Sequence, residues 1–363
     1  GLPTGTCATA ATVAAVWKAL DDNTPDTFPV LLPEGEILTI PARPTERILS
    51  ADGKTVIASA FTVKDAGDDP DITNGMTIET RVTLHLSSVA TSTTPLSIHI
   101  DGGCGVGRVT LPGLGIEVGQ AAINATPRRM IENSIRHLLH SLPMKANPVS
   151  IDVLISVPGG EEIARRTFNP RLGIEGGISI IGTSGIVKPF STDAFIRSIA
   201  KSMEVARATG SPRVVINSGA KSERFVRAYY PELPPQAFVH YGNFIGETLK
   251  LADSLKVPRI TLGVMIGKAV KLAEGYLDTH SRQVTMNRNF IISMAREAGC
   301  GENVCTRIDS ITLARELWDL IPASLLPTFT QTVIDHCHHH CAPLLPHGEL
   351  TILLISEDGR IYV

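Results

Sequence analysis

Three short apolar runs in the second half of the chain, RVVINSG at 213 to 219, AFVHYG at 237 to 242 and RITLGVMIG at 259 to 267, alternate with amphipathic stretches. SERFVRAYYP follows the first run, FIGETLKLADSLK the second and AVKLAEGYLD the third. Strands that are apolar throughout must be covered on both faces, and helices between them deliver the chain back to start the next strand in parallel. The pattern therefore predicts a Rossmann-like, three-layer α/β/α domain. We take ISIIGTSGIV (178 to 187) as its opening strand and ELTILLISEDGRIYV as a closing strand, turn and strand, so that the domain runs from residue 176 to 363.

Residues 1 to 175 have another texture. An alanine-rich helix (ATAATVAAVWKAL, 8 to 20) is followed by the β-like runs GEILTIPA, KTVIASAFTV, TIETRVTLHLS and PLSIHID. AINATPRRMIENSIRHLLHSL then carries Ile131, Ile135, Leu138 and Leu142 on one helical face, and VSIDVLISV reads as a strand ending in the turn PGGEE. This predicts an α+β first domain. A chain of 363 residues is long for one hydrophobic core, which agrees with two.

Composition narrows the function. Apolar residues make up 43% and charged residues 19%, and no uncharged apolar run of 18 residues exists to span a bilayer. A net charge of −3 supplies no general attraction for nucleic acid, so an anionic partner needs a local site. Six scattered cysteines fit reduced thiols in the cytoplasm better than a disulfide framework. A homo-oligomer is allowed by the composition.

IHIDGGCGVGRVTLPGLGIEVG, residues 98 to 119, holds seven glycines, and something must approach this backbone closely. It lacks the GKS or GKT ending of a Walker loop, and it does not open a helix as a dinucleotide fingerprint must. A structural turn and a cradle for an anionic ligand both remain. The loop Lys64 to Asp71 places Asp65, Asp68, Asp69 and Asp71 within seven residues, suited to a hard cation, to acid–base work or to solvent. In GGISIIGTSGIV, the glycines Gly176, Gly177 and Gly185 would let a nucleoside lie on the backbone at a strand end, with Thr183 and Ser184 as hydrogen-bonding partners, or would serve helix packing. Thr6 with Cys7, and Arg128, open the two N-terminal-domain helices where backbone amides favour carboxylates, and Arg108 follows the glycine cluster. In DHCHHHC (335 to 341) the histidine and cysteine pairs are each four apart but rotated from one another, which favours a polar helix end over a metal site.

Read in order, TGTCATAA, VKDAGDDPDIT, GGCGVGRVTLPGL, AINATPRRMI, VPGGEEIARRTFNPRLGIEGGISIIGTSGIVKPFS and GNFIG resemble the CbiD family of cobalt-precorrin-5B (C-1)-methyltransferases of anaerobic cobalamin biosynthesis. The resemblance implies methyl transfer from S-adenosylmethionine to ring carbon C-1 of cobalt-precorrin-5B, giving cobalt-precorrin-6A. It implies a substrate cradle of Thr6, Cys7, Lys64, Asp71, Gly102, Gly103, Gly105, Arg108 and Arg128. It further implies a methyl-donor site at Gly176, Gly177, Ser179, Thr183, Ser184 and Gly185, and Asp65, Asp68 and Asp69 as candidate proton-transfer groups. No resident metal is implied. Two rival readings use the same features: a small-molecule kinase with a non-Walker glycine loop, and a corrinoid or metal carrier built on the histidine run.

Overall fold

A computed structural model describes residues 1–87, 94–143, 147–182, 184–189, 191–278 and 284–363. It divides the chain into two compact units, Gly1–Ser191 and Thr192–Val363. The division therefore falls after Ser191, and not after Glu175 as the sequence suggested.

The first unit is built on helix α1 (Thr4–Leu20), of which Thr4 to Val16 is buried without interruption. A helix enclosed on all sides needs small residues for close approach and partners for its hydroxyls. The alanines meet the first need; Thr9 and Thr12 meet the second by bonding back to the carbonyls of Gly5 and Ala8. Strands β1 (Thr27–Leu31) and β2 (Ile37–Pro41) form a hairpin. A five-stranded sheet follows, with β3 (Arg43–Leu49), β4 (Thr55–Val63), β5 (Thr77–Leu86), β6 (Ser97–Gly102) and, further along, β9 (Pro148–Ser156) in the order β3-β4-β5-β9-β6. Its pairings are antiparallel except β6 with β9. Val56, Ala58, Ile78, Val82, Leu84 and Val153 on its inner face share one core with α1 and with helix α2 (Ala125–Ser141).

Four very short strands complete this unit. β7 (Gly105–Val106) pairs in parallel with β11 (Gly177–Ile178), and β8 (Arg108–Val109) pairs antiparallel with β10 (Ile174–Glu175). The turn expected at PGGEE is Gly159 in the left-handed region (φ 81°), opening the single-turn helix α3 (Gly160–Ala164). ISIIGTSGIV is not the first strand of the second unit. Of its described residues only the first lies in a strand, and that strand joins the glycine-rich stretch of the first unit.

The second unit has the predicted layers. Helix α4 (Thr192–Ala208) precedes β12 (Val214–Asn217), α5 (Ala220–Tyr229), β13 (Phe238–His240), α6 (Ile245–Ser254), β14 (Arg259–Met265) and α7 (Ile266–Ala273). β15 (Glu349–Ile355) and β16 (Ile361–Tyr362) end the sheet, whose order is β13-β12-β14-β15-β16 with β16 alone antiparallel. Val214, Ile216, Ile260, Leu262 and Val264 pack on one face with residues of α4, α6 and α7, while Val215, Phe238 and Leu353 pack on the other with Val226 of α5.

Candidate active site

The first residues of the chain are threaded between two distant segments. Leu2 N–H bonds to the carbonyl of Asp65, Gly5 N–H to that of Ile181, and the Gly1 carbonyl accepts from Val187 N–H. Thr6 Oγ1 donates to the carbonyl of Gly185 at 2.8 Å. Thr4 to Cys7, the acidic loop and the GTSG segment, three features separated by up to 179 positions, thus converge. Lys64 lies at the junction, 3% exposed. Its Nζ donates to Thr4 Oγ1 (3.0 Å), to Thr73 Oγ1 (2.6 Å) and to Asp71 Oδ2, and Thr73 N–H and Oγ1 both donate to Asp71 Oδ1.

A buried ammonium is tolerated only when its protons are matched and its charge is paired, and this one has both. Burial works to raise the Asp71 carboxyl, but hydrogen bonds from Lys64 and Thr73 outweigh it and hold the group below its usual value. Cys7 is a contrast. Burial pushes its thiol up to about 11 despite the nearby Lys64 charge, so it is protonated at neutral pH and is no nucleophile. Asp65 and Asp68 face outward and Asp69 is half-buried. Of the four carboxylates, only Asp71 is drawn into the Lys64 cluster.

The glycine stretch has a different explanation from the expected cradle. A Cβ on Gly105 would lie 1.8 Å from the carbonyl oxygen of Val157, one on Gly177 2.2 Å from that of Gly105, and one on Gly107 2.4 Å from Ile174 Cγ2. Additions at Gly102 and Gly103 would fall 2.6 Å from Val106 Cγ1 and 2.5 Å from Ser156 Oγ. What comes so close is the chain itself. The arginines are likewise engaged. Arg128 donates to the carbonyls of Ile123, Ile100 and Ala121, bracing α2 against β6. Arg108 bonds Asp101 at 3.0 Å and the Gly102 carbonyl, though 46% of its side chain stays exposed.

The donor-site residues read from sequence are also held within the first unit. Ser179 Oγ bonds Asn169 Oδ1 and Ser184 Oγ bonds the carbonyl of Ile186, while Gly185, at φ 77°, lies beneath Leu32. Gly176 borders open space, and Thr183 lies outside the described residues. In the helix Leu326–Cys341, Cys337 and Cys341 are buried in the core whereas His336 faces Glu297 at 3.0 Å. Among the described residues no group of three His, Cys, Asp or Glu could hold a metal ion.

At the carboxyl edge of the second unit's sheet, β12 ends in Asn217 and leads through Ser218 and Gly219 into α5. Beside it, Lys268 of α7 donates to the carbonyl of Gly242 and to Asn243 Oδ1 (3.0 Å) and lies 5.5 Å above the Tyr241 ring. Burial pushes this lysine down to about 8. Gly242 and Asn243 begin the GNFIG motif; Asn217, Ser218 and Lys268 belong to none. The available signal was the order of strand, small-residue turn and helix in RVVINSGAKSERF.

The carboxyl edge of a parallel sheet, with small-residue turns, is where α/β enzymes bind small molecules. The chain belongs to the CbiD family: the family model described as CbiD matches residues 1–189 and that described as CbiD, C-terminal domain, matches residues 278–363. A protein of Prosthecochloris aestuarii named cobalt-precorrin-5B C(1)-methyltransferase is 42% identical over 363 residues, 99% of this chain and 95% of its own. The protein of that name from Geobacillus thermodenitrificans is 39% identical over 337 residues, 93% of this chain and 86% of its own. Among solved structures, the cobalamin biosynthesis protein cbiD of Archaeoglobus fulgidus is 25% identical, covering 83% of this chain and 84% of that one with a TM-score of 0.36. No helix among the described residues is long and apolar enough to cross a membrane.

Proposed function

We propose that this chain methylates ring carbon C-1 of cobalt-precorrin-5B, with S-adenosylmethionine as the donor, in the cytoplasmic synthesis of cobalamin. The observation that carries the reading is its 42% identity, across 99% of the chain, to a protein named for that reaction. When bound, the donor supplies a methyl group already activated on a sulfonium. The protein's task is then alignment and exclusion of water, and orientation alone is worth about 7–11 kcal/mol of barrier.

The residues divide that task. Lys64, with Thr4, Thr73 and Asp71, fixes the loop 64–75 against the start of α1 and holds its outward carboxylates in place. Asp65, Asp68 and Asp69 then serve proton transfer at the macrocycle, and the exposed part of Arg108 receives one of its acidic side groups. The decisive experiment supplies purified protein with cobalt-precorrin-5B and donor carrying a ¹³C methyl. One labelled methyl on C-1 is expected; label on another carbon, or none, overturns the reading. Replacing Asp68 and Asp69 together by asparagine should slow turnover by about 10²–10⁴-fold with an unchanged melting temperature. Unaltered turnover removes both from the chemistry.

A further inference from the structure

We propose that the methyl donor binds in the second unit, at the carboxyl edge of β12 and β14, against the turn Asn217-Ser218-Gly219 and the start of α7 at Gly267 and Lys268. The inference rests on the methyltransferase reading above and moves the donor away from Gly176 to Gly185.

Topology supplies the first reason. The chain leaves β12, passes through α5 to β13 on one flank, then crosses through α6 to β14 on the other flank of β12. Strand order reverses there, so the connections after β12 and β14 part in opposite directions and leave room for a ligand between them. The second reason is a buried polar group without a partner. Asn217 is fully buried, its Oδ1 accepts from Gly219 N–H at 3.1 Å, and its Nδ2 finds no acceptor among the described residues. A buried amide hydrogen left unmatched is destabilising, and a ribose hydroxyl or a carboxylate in the turn would satisfy it.

The third reason is in the glycines. A Cβ on Gly219 or on Gly267 would meet nothing within 4 Å, and neither residue adopts the left-handed backbone. Internal packing therefore does not require glycine at either position, whereas a nucleoside laid on the backbone does. Lys268 completes the edge. Its bonds to Gly242 and Asn243 tie the loop after β13 to that after β14, across the end of β12, and place an ammonium where the donor's amino-acid carboxylate would be held.

Calorimetric titration of the full chain with S-adenosylhomocysteine tests the site. Asn217→Ala and Lys268→Met should each weaken binding about tenfold or more, the loss expected for one charge-assisted hydrogen bond. Gly267→Val, whose side chain enters space that is open in the free protein, should weaken it further. Ultraviolet cross-linking of labelled S-adenosylmethionine to the unaltered protein needs no variant and should mark peptides from 214 to 229 or 259 to 271. If the unaltered protein does not bind S-adenosylhomocysteine, the methyltransferase reading itself fails. If it binds, but the three variants bind equally well and the label lies elsewhere, this site is wrong while the activity stands. Lost binding in Ser184→Ala with Asn217→Ala unaffected would return the donor to the first unit.

Discussion

A methyl group placed on Gly105 would lie 1.8 Å from the carbonyl oxygen of Val157, whereas one placed on Gly219 or Gly267 would meet nothing within 4 Å. Both regions are glycine-bearing turns beside strand ends, and both invite the same guess from sequence. In the first unit, glycine allows β7, β11 and the start of α3 to meet backbone to backbone. In the second, the corresponding space is open. Local glycine density therefore identifies a close approach without identifying who approaches, and in the denser cluster the approach is that of the chain itself.

The sharpest way to break this comparison is Gly105→Ala. The added carbon would collide with a backbone oxygen while the residue holds φ 75°, so a loss above about 4 kcal/mol is expected, seen as a collapsed urea midpoint or insoluble protein. A stable Gly105→Ala protein would mean that this turn is not packed as described. Next in size is Lys64→Met, which strands Asp71 without its cation and should cost about 3–5 kcal/mol; adding Asp71→Asn should restore part of it. Because the folded Asp71 carboxyl lies below its unfolded value, its contribution is present above the unfolded pKa and is lost as pH falls through the folded one. Acid unfolding of Lys64→Met should accordingly lose that component. Smallest are Gly219→Ala and Gly267→Ala, expected within about 1 kcal/mol of the natural protein and at Gly267, inside α7, even slightly stabilising. Destabilisation by more than 2 kcal/mol at either would show that packing, not a ligand, requires the glycine.

Much of the fold was legible in the sequence because its signals are local. The apolar stripe of α2 and the fully apolar strands β12 and β14 follow from period and composition. The Thr27–Leu31 strand carries no such signal, since Pro25 and Pro29 mask it and its hairpin partner is what stabilises it. ISIIGTSGIV failed for the opposite reason. Its apolar content imitates a buried strand, but Gly185 takes positive φ and the segment turns back toward α1 instead of entering a sheet. In the candidate site, the acidic loop and TGTC were visible as separate motifs. Their convergence on Lys64 was not, because it depends on contacts across most of the first unit. The carbonyls that Arg108 and Arg128 bond were not legible either, because carbonyl acceptors leave no mark in a sequence.

The threading of Gly1 to Gly5 between Asp65 and Val187 also orders events during synthesis. Helix α1 is made before its partners, and the carbonyl that receives its Thr6 hydroxyl is made 179 residues later, roughly 9 to 36 seconds at ~5–20 residues per second. By then the strands β4 and β5 and the helix α2, with which α1 shares its core, have already been made, so the Gly185 segment adds the last contact to an enclosure begun earlier. The start of α1, which meets Gly185, is therefore the last part of that helix to be covered as the chain is made.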